Sequence, residues 1–165
     1  MLKRVSSQIH FKRVKPFISI NLYMNIDLYK HYMSETKKIL FVCVENAGRS
    51  QMAEGFFRKF VLPEFLPQSA GTKPTNEINP LAVQVMKEVG IDITGQKPKV
   101  LSDEMVKKSA KVVNMGCMDK ESCPTLFVNN IIDWNIADPK GKPIEQVRKI
   151  RDEIETKVRE LVASL

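Results

Sequence analysis

The sequence predicts an α/β fold in which a single domain carries a parallel four-stranded sheet with helices on both faces. Short apolar runs, typical of strands buried on both faces, alternate along the chain with segments of helical periodicity. The chain has 165 residues, of which 43% are hydrophobic, enough for one domain with a full core. No apolar run is long enough to span a membrane, so we expect no membrane-embedded segment.

Four apolar segments are the predicted strands. The first is wholly apolar and leads into a polar loop that begins at Cys43. The second ends at Gly71, because glycine commonly ends a strand in a turn. The four segments are residues 39–42, 65–70, 111–115 and 131–134.

Three of the predicted helices lie between these strands. The first follows the polar loop and has Met52, Phe56 and Phe60 on one face. The second begins with Asn79 as N-cap and Pro80 as first helical residue, and its apolar stripe precedes the stop at Gly90. That stripe consists of Leu81, Val85, Met86 and Val89. A third, short helix opens at Ser102 with Asp103 and Glu104.

The last helix has the clearest pattern. It is predicted to start at Pro143, and apolar residues then recur at intervals of three and four. These residues are Ile144, Val147, Ile150, Ile154, Val158, Leu161 and Leu165.

The net charge of +7 is concentrated at the N-terminus. Residues 1–32 hold six Lys or Arg and one acid, whereas the remainder is nearly balanced, with 20 basic and 18 acidic side chains. We therefore predict a basic N-terminal extension, residues 1–32, that is disordered or lies upstream of a true start at Met33. The functional domain is then residues 33–165. A basic stripe for nucleic acid is not apparent in it.

The cysteines and histidines limit the possible chemistry. An odd number of cysteines, Cys43, Cys117 and Cys123, argues against a disulfide framework and favours reactive thiols in a reducing, cytoplasmic compartment. Both histidines precede residue 33. The predicted domain therefore has no histidine for a metal site or for a Cys-His pair.

The oxyanion loop, residues 43–50, is the strongest functional candidate. It lies between a buried strand and a helix N-terminus, where unpaired N–H groups favour an anion and hold a cysteine as thiolate. Gly48 permits close approach and unusual dihedrals, Arg49 offers a planar fork for two oxygens, and Ser50 can donate to the sulfur. Asn46 can brace the loop by bonding its backbone. The predicted oxyanion-binding residues are Val44, Glu45, Asn46, Ala47, Gly48, Arg49 and Ser50.

A simpler interpretation of Cys43 is an inert core residue at the end of a strand. Its position at a strand-to-helix junction, five residues before Arg49 and Ser50, favours the nucleophile. Asp138, ahead of Pro139, is the candidate general acid, although Asp-Pro is also a common turn. Asp133 is the rival carboxylate, but it lies inside a predicted strand.

The chain resembles the arsenate reductases built on the fold of the low-molecular-weight tyrosine phosphatases in residues 43–55, CVENAGRSQMAEG. The resemblance covers about residues 37–163. Ser69-Ala70-Gly71 and Val89-Gly90-Ile91-Asp92 fall where that family has similar motifs, and Asp138-Pro139 matches its catalytic acid.

The resemblance implies a cascade of three cysteines. Cys43 attacks arsenate, Cys117 attacks Cys43 to release arsenite, and Cys123 resolves that disulfide. The resulting Cys117–Cys123 disulfide is then a substrate for thioredoxin. Two other interpretations stay open, namely that Cys117 and Cys123 are unrelated core residues or half of a metal site.

The expected substrate is arsenate or a phosphate-like oxyanion. Tyrosine phosphatases of this fold carry tyrosines after the Asp-Pro, whereas residues 140–142 here are Lys-Gly-Lys, which favours a small inorganic anion. The alternatives are a low-molecular-weight tyrosine phosphatase forming a phosphocysteine at Cys43, and a non-enzymatic oxyanion-binding or redox-sensing module.

No cofactor is expected to be required. The resemblance implies a potassium site in the reductase branch, and Asn46, Glu54 and Ser69 match its ligands. Lys99, however, stands where that branch has an aspartate. A cationic side chain at this position argues against the ion and can replace its charge.

Overall fold

Strands and helices alternate in the computed structural model, which describes residues 36–116 and 131–165. Four strands in these ranges form one sheet in the order β2-β1-β3-β4, and every neighbouring pair is parallel. The elements are β1 (Lys37–Cys43), α1 (Arg49–Phe60), β2 (Phe65–Gly71), α2 (Pro80–Glu88), α3 (Asp103–Lys107), β3 (Ser109–Asn114), β4 (Ile131–Asp133) and α4 (Ile144–Ala163). The predicted fold class and all four predicted strands are confirmed.

Both faces of the sheet are covered, as β1 shows most clearly. Ile39 and Phe41 point into the larger core, which is filled from the other side by α1, α2 and α4. Leu40 and Val42 point into a smaller core on the opposite face, where α3 packs. Because successive side chains of a strand point to opposite faces, a continuous apolar run suits a strand buried on both.

Local capping residues determine where the shorter helices begin and end. The side chain of Asn79 accepts the Leu81 N–H at 2.9 Å, and Ser102 accepts the Met105 N–H at 3.3 Å. After α2, Gly90 has φ of 73°, a left-handed conformation that glycine adopts readily. The predicted caps are therefore confirmed.

The bounds predicted for the last helix were wrong by one or two residues. Pro143 is its N-cap, with extended backbone, and the first helical residue is Ile144. The helix ends at Ala163, so Leu165 lies beyond the periodic region and is 40% exposed. The central stripe from Val147 to Leu161 is buried as predicted. Arg151 is buried with it and donates to the carbonyl of Val85 at 2.9 Å, a contact that periodicity did not indicate.

The sheet order places a crevice at the carboxyl end of β1. The chain leaves β1 toward β2 on one side, whereas β3 lies on the other. In parallel sheets, such a reversal separates the loops that follow the two strands and creates a binding crevice. The described residues belong to one unit, Glu35–Leu165. The predicted boundary between residues 1–32 and 33–165 lies outside them and stays a prediction.

Candidate active site

Hydrogen-bond donors surround the sulfur of Cys43 at the crevice. Cys43 ends β1 and is 3% exposed. The backbone N–H of Asn46 donates to its Sγ at 3.1 Å, and the Oγ of Ser50 lies 2.9 Å from the sulfur. Hydrogen bonds of this kind stabilise a thiolate more than a neutral thiol, because the added charge lies on the acceptor.

The backbone carbonyls of the oxyanion loop bond to residues outside the loop, which turns the N–H groups toward its interior. The carbonyls of Val44, Glu45 and Ala47 accept backbone N–H groups of residues 73, 75 and 79 at 2.9 to 3.1 Å. In a trans peptide, the N–H points opposite to the preceding carbonyl. The N–H groups of residues 45, 46 and 48 therefore face the loop interior, where that of Asn46 donates to Cys43 Sγ and the other two can donate to a tetrahedral anion.

Asn46 fixes the shape of this loop. Its φ is 49°, a left-handed conformation that asparagine tolerates better than most residues. Its Oδ1 accepts the backbone N–H of Lys99 at 2.8 Å, and its Nδ2 donates to Ser50 Oγ at 2.8 Å. The sequence predicted a brace to the loop's own backbone, but the brace reaches the neighbouring segment instead. Gly48 has a negative φ, so the left-handed position of the loop is Asn46 rather than the glycine.

Gly71 supports the loop from behind, a role that the sequence did not indicate. A Cβ on Gly71 would lie 2.4 Å from the carbonyl oxygen of Val44 and 2.9 Å from the N atom of Asn46. No side chain fits between β2 and the loop. The motif Ser69-Ala70-Gly71 thus has a physical role in closing the back of the oxyanion loop.

Arg49 is held by the ends of two other segments. It begins α1 and is 6% exposed. Its Nη1 donates to the carbonyl of Ile136 at 2.9 Å and to that of Met115 at 3.4 Å, and its Nη2 donates to Asp138 at 2.5 Å. These carbonyl partners have no sequence signature, so sequence analysis did not find them.

Asp138 is the carboxylate that the fold brings to the loop. Its side chain is 56% exposed, forms an ion pair with Arg49, and accepts the N–H of Lys140 at 2.9 Å. The rival Asp133 instead accepts the Nδ2–H of Asn114 at 2.8 Å. The structure therefore brings Asp138, and not Asp133, together with Arg49.

The acid loop, residues 138–142, lies directly on the oxyanion loop. Besides the bond from Arg49 to Asp138, Pro139 contacts Gly48 so closely that a Cβ on the glycine would lie 2.9 Å from Pro139 Cγ. Lys140 donates to the carboxylate of Glu45, and this hydrogen bond raises the pKa of Lys140 above its ordinary value. Three consecutive residues of one loop thus contact the other.

The residues that match potassium ligands already have hydrogen-bond partners within the protein. The buried carboxylate of Glu54 accepts the hydroxyl of Ser69 at 2.6 Å, Arg58 at 2.7 Å and Lys99 at 3.4 Å. The Oδ1 of Asn46 is taken by the N–H of Lys99. Two cationic side chains therefore already lie at the carboxylate that matches a potassium ligand.

The described ranges contain no cluster of three His, Cys, Asp or Glu residues suited to a metal. No helix within these ranges has the length and apolarity to cross a membrane. Cys117 and Cys123 lie outside the described residues, so their predicted roles stay predictions. The described chain before them reaches Gly116, one residue after the carbonyl that Arg49 contacts.

Comparison with known proteins gives the family. Residues 38–165 match the model of the low molecular weight phosphotyrosine protein phosphatases. An arsenate reductase of Staphylococcus aureus (strain Newman) is 39% identical over 120 residues, covering 72% of this chain and 90% of that protein.

Solved structures of both activities share the fold. An arsenate reductase in the phosphate binding state is 32% identical with a TM-score of 0.70, covering 78% of this chain and 98% of that one. A thioredoxin-dependent arsenate reductase of Corynebacterium glutamicum is 31% identical with a TM-score of 0.66, covering 84% and 70%. An arginine phosphatase from Geobacillus stearothermophilus is 31% identical with a TM-score of 0.69, covering 78% and 92%.

Proposed function

We propose that this chain, which belongs to the low molecular weight phosphotyrosine protein phosphatase family, is an enzyme that reduces arsenate to arsenite. The observation that carries the proposal is the placement of Cys43 Sγ against the Asn46 N–H and the Ser50 hydroxyl, inside a loop that fits a tetrahedral oxyanion. The 39% identity with an arsenate reductase supports this substrate.

The first step is attack of the Cys43 thiolate on arsenic. An S–As bond forms, an As–O bond breaks, and the departing oxygen takes a proton from Asp138 and leaves as water. The inward N–H groups and Arg49 stabilise the charge on the remaining oxygens. Asp138 is the acid in this proposal because it is the carboxyl group that the fold brings to Arg49 at the oxyanion loop, and it acts in its protonated form.

The next steps move two electrons from protein thiols to arsenic. The Cys117 thiolate attacks Cys43 Sγ, the S–As bond breaks with its electron pair on arsenic, and arsenite leaves. The Cys123 thiolate then attacks Cys117, which releases Cys43 as thiolate. Thioredoxin, the proposed reductant, reduces the Cys117–Cys123 disulfide, as in the relative named thioredoxin-dependent. No potassium ion is needed, since Lys99 and Arg58 already neutralise Glu54.

The alternative is hydrolysis of a phosphate ester through a phosphocysteine at Cys43. The family match supports it, because the same thiolate and oxyanion loop serve both reactions. The two activities differ in whether Cys117 and Cys123 are required.

The decisive experiment measures arsenite formation by the full chain with thioredoxin, thioredoxin reductase and NADPH. We expect turnover that Cys117→Ser and Cys123→Ser each abolish, while both variants keep any aryl phosphate hydrolysis. Cys43→Ser is the control that loses both activities. Aryl phosphate hydrolysis without arsenite formation would establish the phosphatase. The absence of both activities would favour the third alternative, a non-enzymatic oxyanion-binding or redox-sensing module.

A further inference from the structure

The contact between the acid loop and the oxyanion loop has a feature that the chemistry above does not use. Glu45 and Lys140 form an ion pair between the two loops, and both side chains are more exposed than the buried sulfur. The pair lies beside two other contacts between the loops, from Pro139 to Gly48 and from Asp138 to Arg49. The two loops are therefore joined at three successive positions of the acid loop.

The contacts between the two loops lie where the leaving group of a substrate has to be placed. A general acid has to lie within hydrogen-bond reach of the oxygen that departs. In arsenate, that oxygen carries at most a hydrogen, whereas in an aryl phosphate it carries a ring. The ring must then lie beside Asp138, where residues 139 and 140 contact the oxyanion loop.

The charges of the pair have a second effect. Glu45 places a carboxylate on the loop that binds an anion, and uncompensated negative charge there repels the substrate. Lys140 supplies the compensating charge. Lysine is protonated throughout the neutral range, and the hydrogen bond to Glu45 raises the pKa of Lys140 further.

We propose that the Glu45–Lys140 bridge biases substrate specificity toward small oxyanions, because it holds the acid loop against the oxyanion loop where an aryl leaving group would lie and keeps the charge there balanced. The proposal rests on the proposed function and adds the residues that select among its substrates. Neither side chain touches the reacting atoms, and both act by positioning the acid loop.

The test uses Glu45→Gln and Lys140→Gln in the full chain. Both variants break the bridge, so kcat/KM for p-nitrophenyl phosphate relative to arsenate should rise about two- to fivefold, the range expected for an exposed ion pair. The KM for arsenate should move in opposite directions, downward in Glu45→Gln and upward in Lys140→Gln. A general loss of structure would not produce opposite shifts.

Two further variants control for unrelated effects. The charge-reversed double variant Glu45→Lys/Lys140→Glu should restore the preference for the small anion. Glu104 on α3 and Lys108, the C-cap of that helix, also form an exposed ion pair, and Glu104→Gln should leave the substrate ratio unchanged. An unchanged ratio in both bridge variants, with arsenite still formed, would overturn the proposal and leave the reductase intact.

A readout without turnover separates the two proposals. Alkylation of Cys43 by N-phenylmaleimide relative to iodoacetamide, measured on the Cys43 peptide by mass spectrometry, reports access of an aryl group. The ratio should rise in both bridge variants. If no arsenite is formed but the alkylation ratio rises, the proposed reductase activity is rejected and the proposed role of the bridge is retained. An unchanged alkylation ratio in both bridge variants would contradict the proposed role of the bridge, whether or not arsenite is formed.

Discussion

Ser50 Oγ lies 2.9 Å from Cys43 Sγ and accepts a hydrogen bond from Asn46 Nδ2 at 2.8 Å. Because the amide supplies the proton of that second bond, the hydroxyl keeps its own proton for the sulfur. Asn46 thus orients Ser50 as a donor, and Lys99 orients Asn46 in turn through its backbone N–H. The state of the sulfur depends on a chain of bonds that begins outside the loop.

Replacing Ser50 by alanine should lower arsenite formation roughly ten- to hundredfold, since a hydrogen bond to a charged group contributes about 1.5–3 kcal/mol. Steady-state rates at neutral pH measure the effect. Ser109→Ala is the matched control, because its hydroxyl donates to the Met105 carbonyl on the far side of the sheet. A Ser50→Ala rate equal to that of the control contradicts this role.

Alkylation of Cys43 should remain fast well below pH 8.5, about the pKa of an unperturbed thiol. The physical cause is stabilisation of the thiolate by the Asn46 N–H and the Ser50 hydroxyl. A lowered pKa means that reactivity falls only at more acidic pH. Iodoacetamide kinetics followed by mass spectrometry give the midpoint, and a midpoint near 8.5 refutes an activated Cys43.

Asp138→Asn should lower kcat for arsenate reduction by roughly a hundredfold or more, because the amide cannot give up a proton to the departing oxygen. Asp133→Asn, which changes the carboxylate bonded to Asn114, should retain activity. Equal losses in the two variants would show that Asp138 contributes to folding rather than to proton transfer, and circular dichroism separates these cases.

Gly71→Ala should destabilise the fold by about 1–3 kcal/mol and also lower activity, because its Cβ would displace the Val44 carbonyl and the Asn46 N–H. Gly95→Ala is the control, since nothing lies within 4 Å of its Cβ position. Urea denaturation measures the first effect and arsenite formation the second. An unchanged free energy of unfolding in Gly71→Ala would contradict this prediction, because it would mean that the loop can move away from the added Cβ without destabilising the fold.

Activity and melting temperature should not change when sodium replaces potassium at constant ionic strength. Lys99→Asp removes one cation from Glu54 and adds a carboxylate. The melting temperature of this variant should therefore rise with potassium concentration. Lys97→Asp is a nearby control. A potassium effect in the unaltered chain would contradict the assignment of Lys99 as the compensating charge.

Local sequence patterns were sufficient to predict the strands and helices of the fold. A wholly apolar run predicted β1, and the Asn79-Pro80 pair predicted the start of α2, since caps and buried strands depend on neighbouring residues. The bounds of α4 were less accurate, because Pro143 suits a position just before a helix as well as the first position within it.

The predicted loop residues lie together at the carboxyl end of β1, but their supports were not predictable. The brace from Asn46 reaches Lys99, and the partners of Arg49 are the carbonyls of Met115 and Ile136. These contacts join residues 53 to 87 positions apart. Backbone carbonyls carry no residue-specific signal, and a short chain segment does not indicate which distant segment will lie beside it.

The way Arg49 is fixed has a consequence for discrimination between anions. A guanidinium has five N–H donors, and the described residues use both donors of Nη1 and one of Nη2. Among the contacts of the described residues, Nε–H and one Nη2–H are left to donate to an anion. Because these contacts fix the side chain during folding, phosphate, sulfate and arsenate all meet the same preorganised guanidinium. Such a template recognises shape and charge shared by all three. The distinction between arsenate and its abundant analogues then falls to the redox step, because only arsenic accepts two electrons from the thiols.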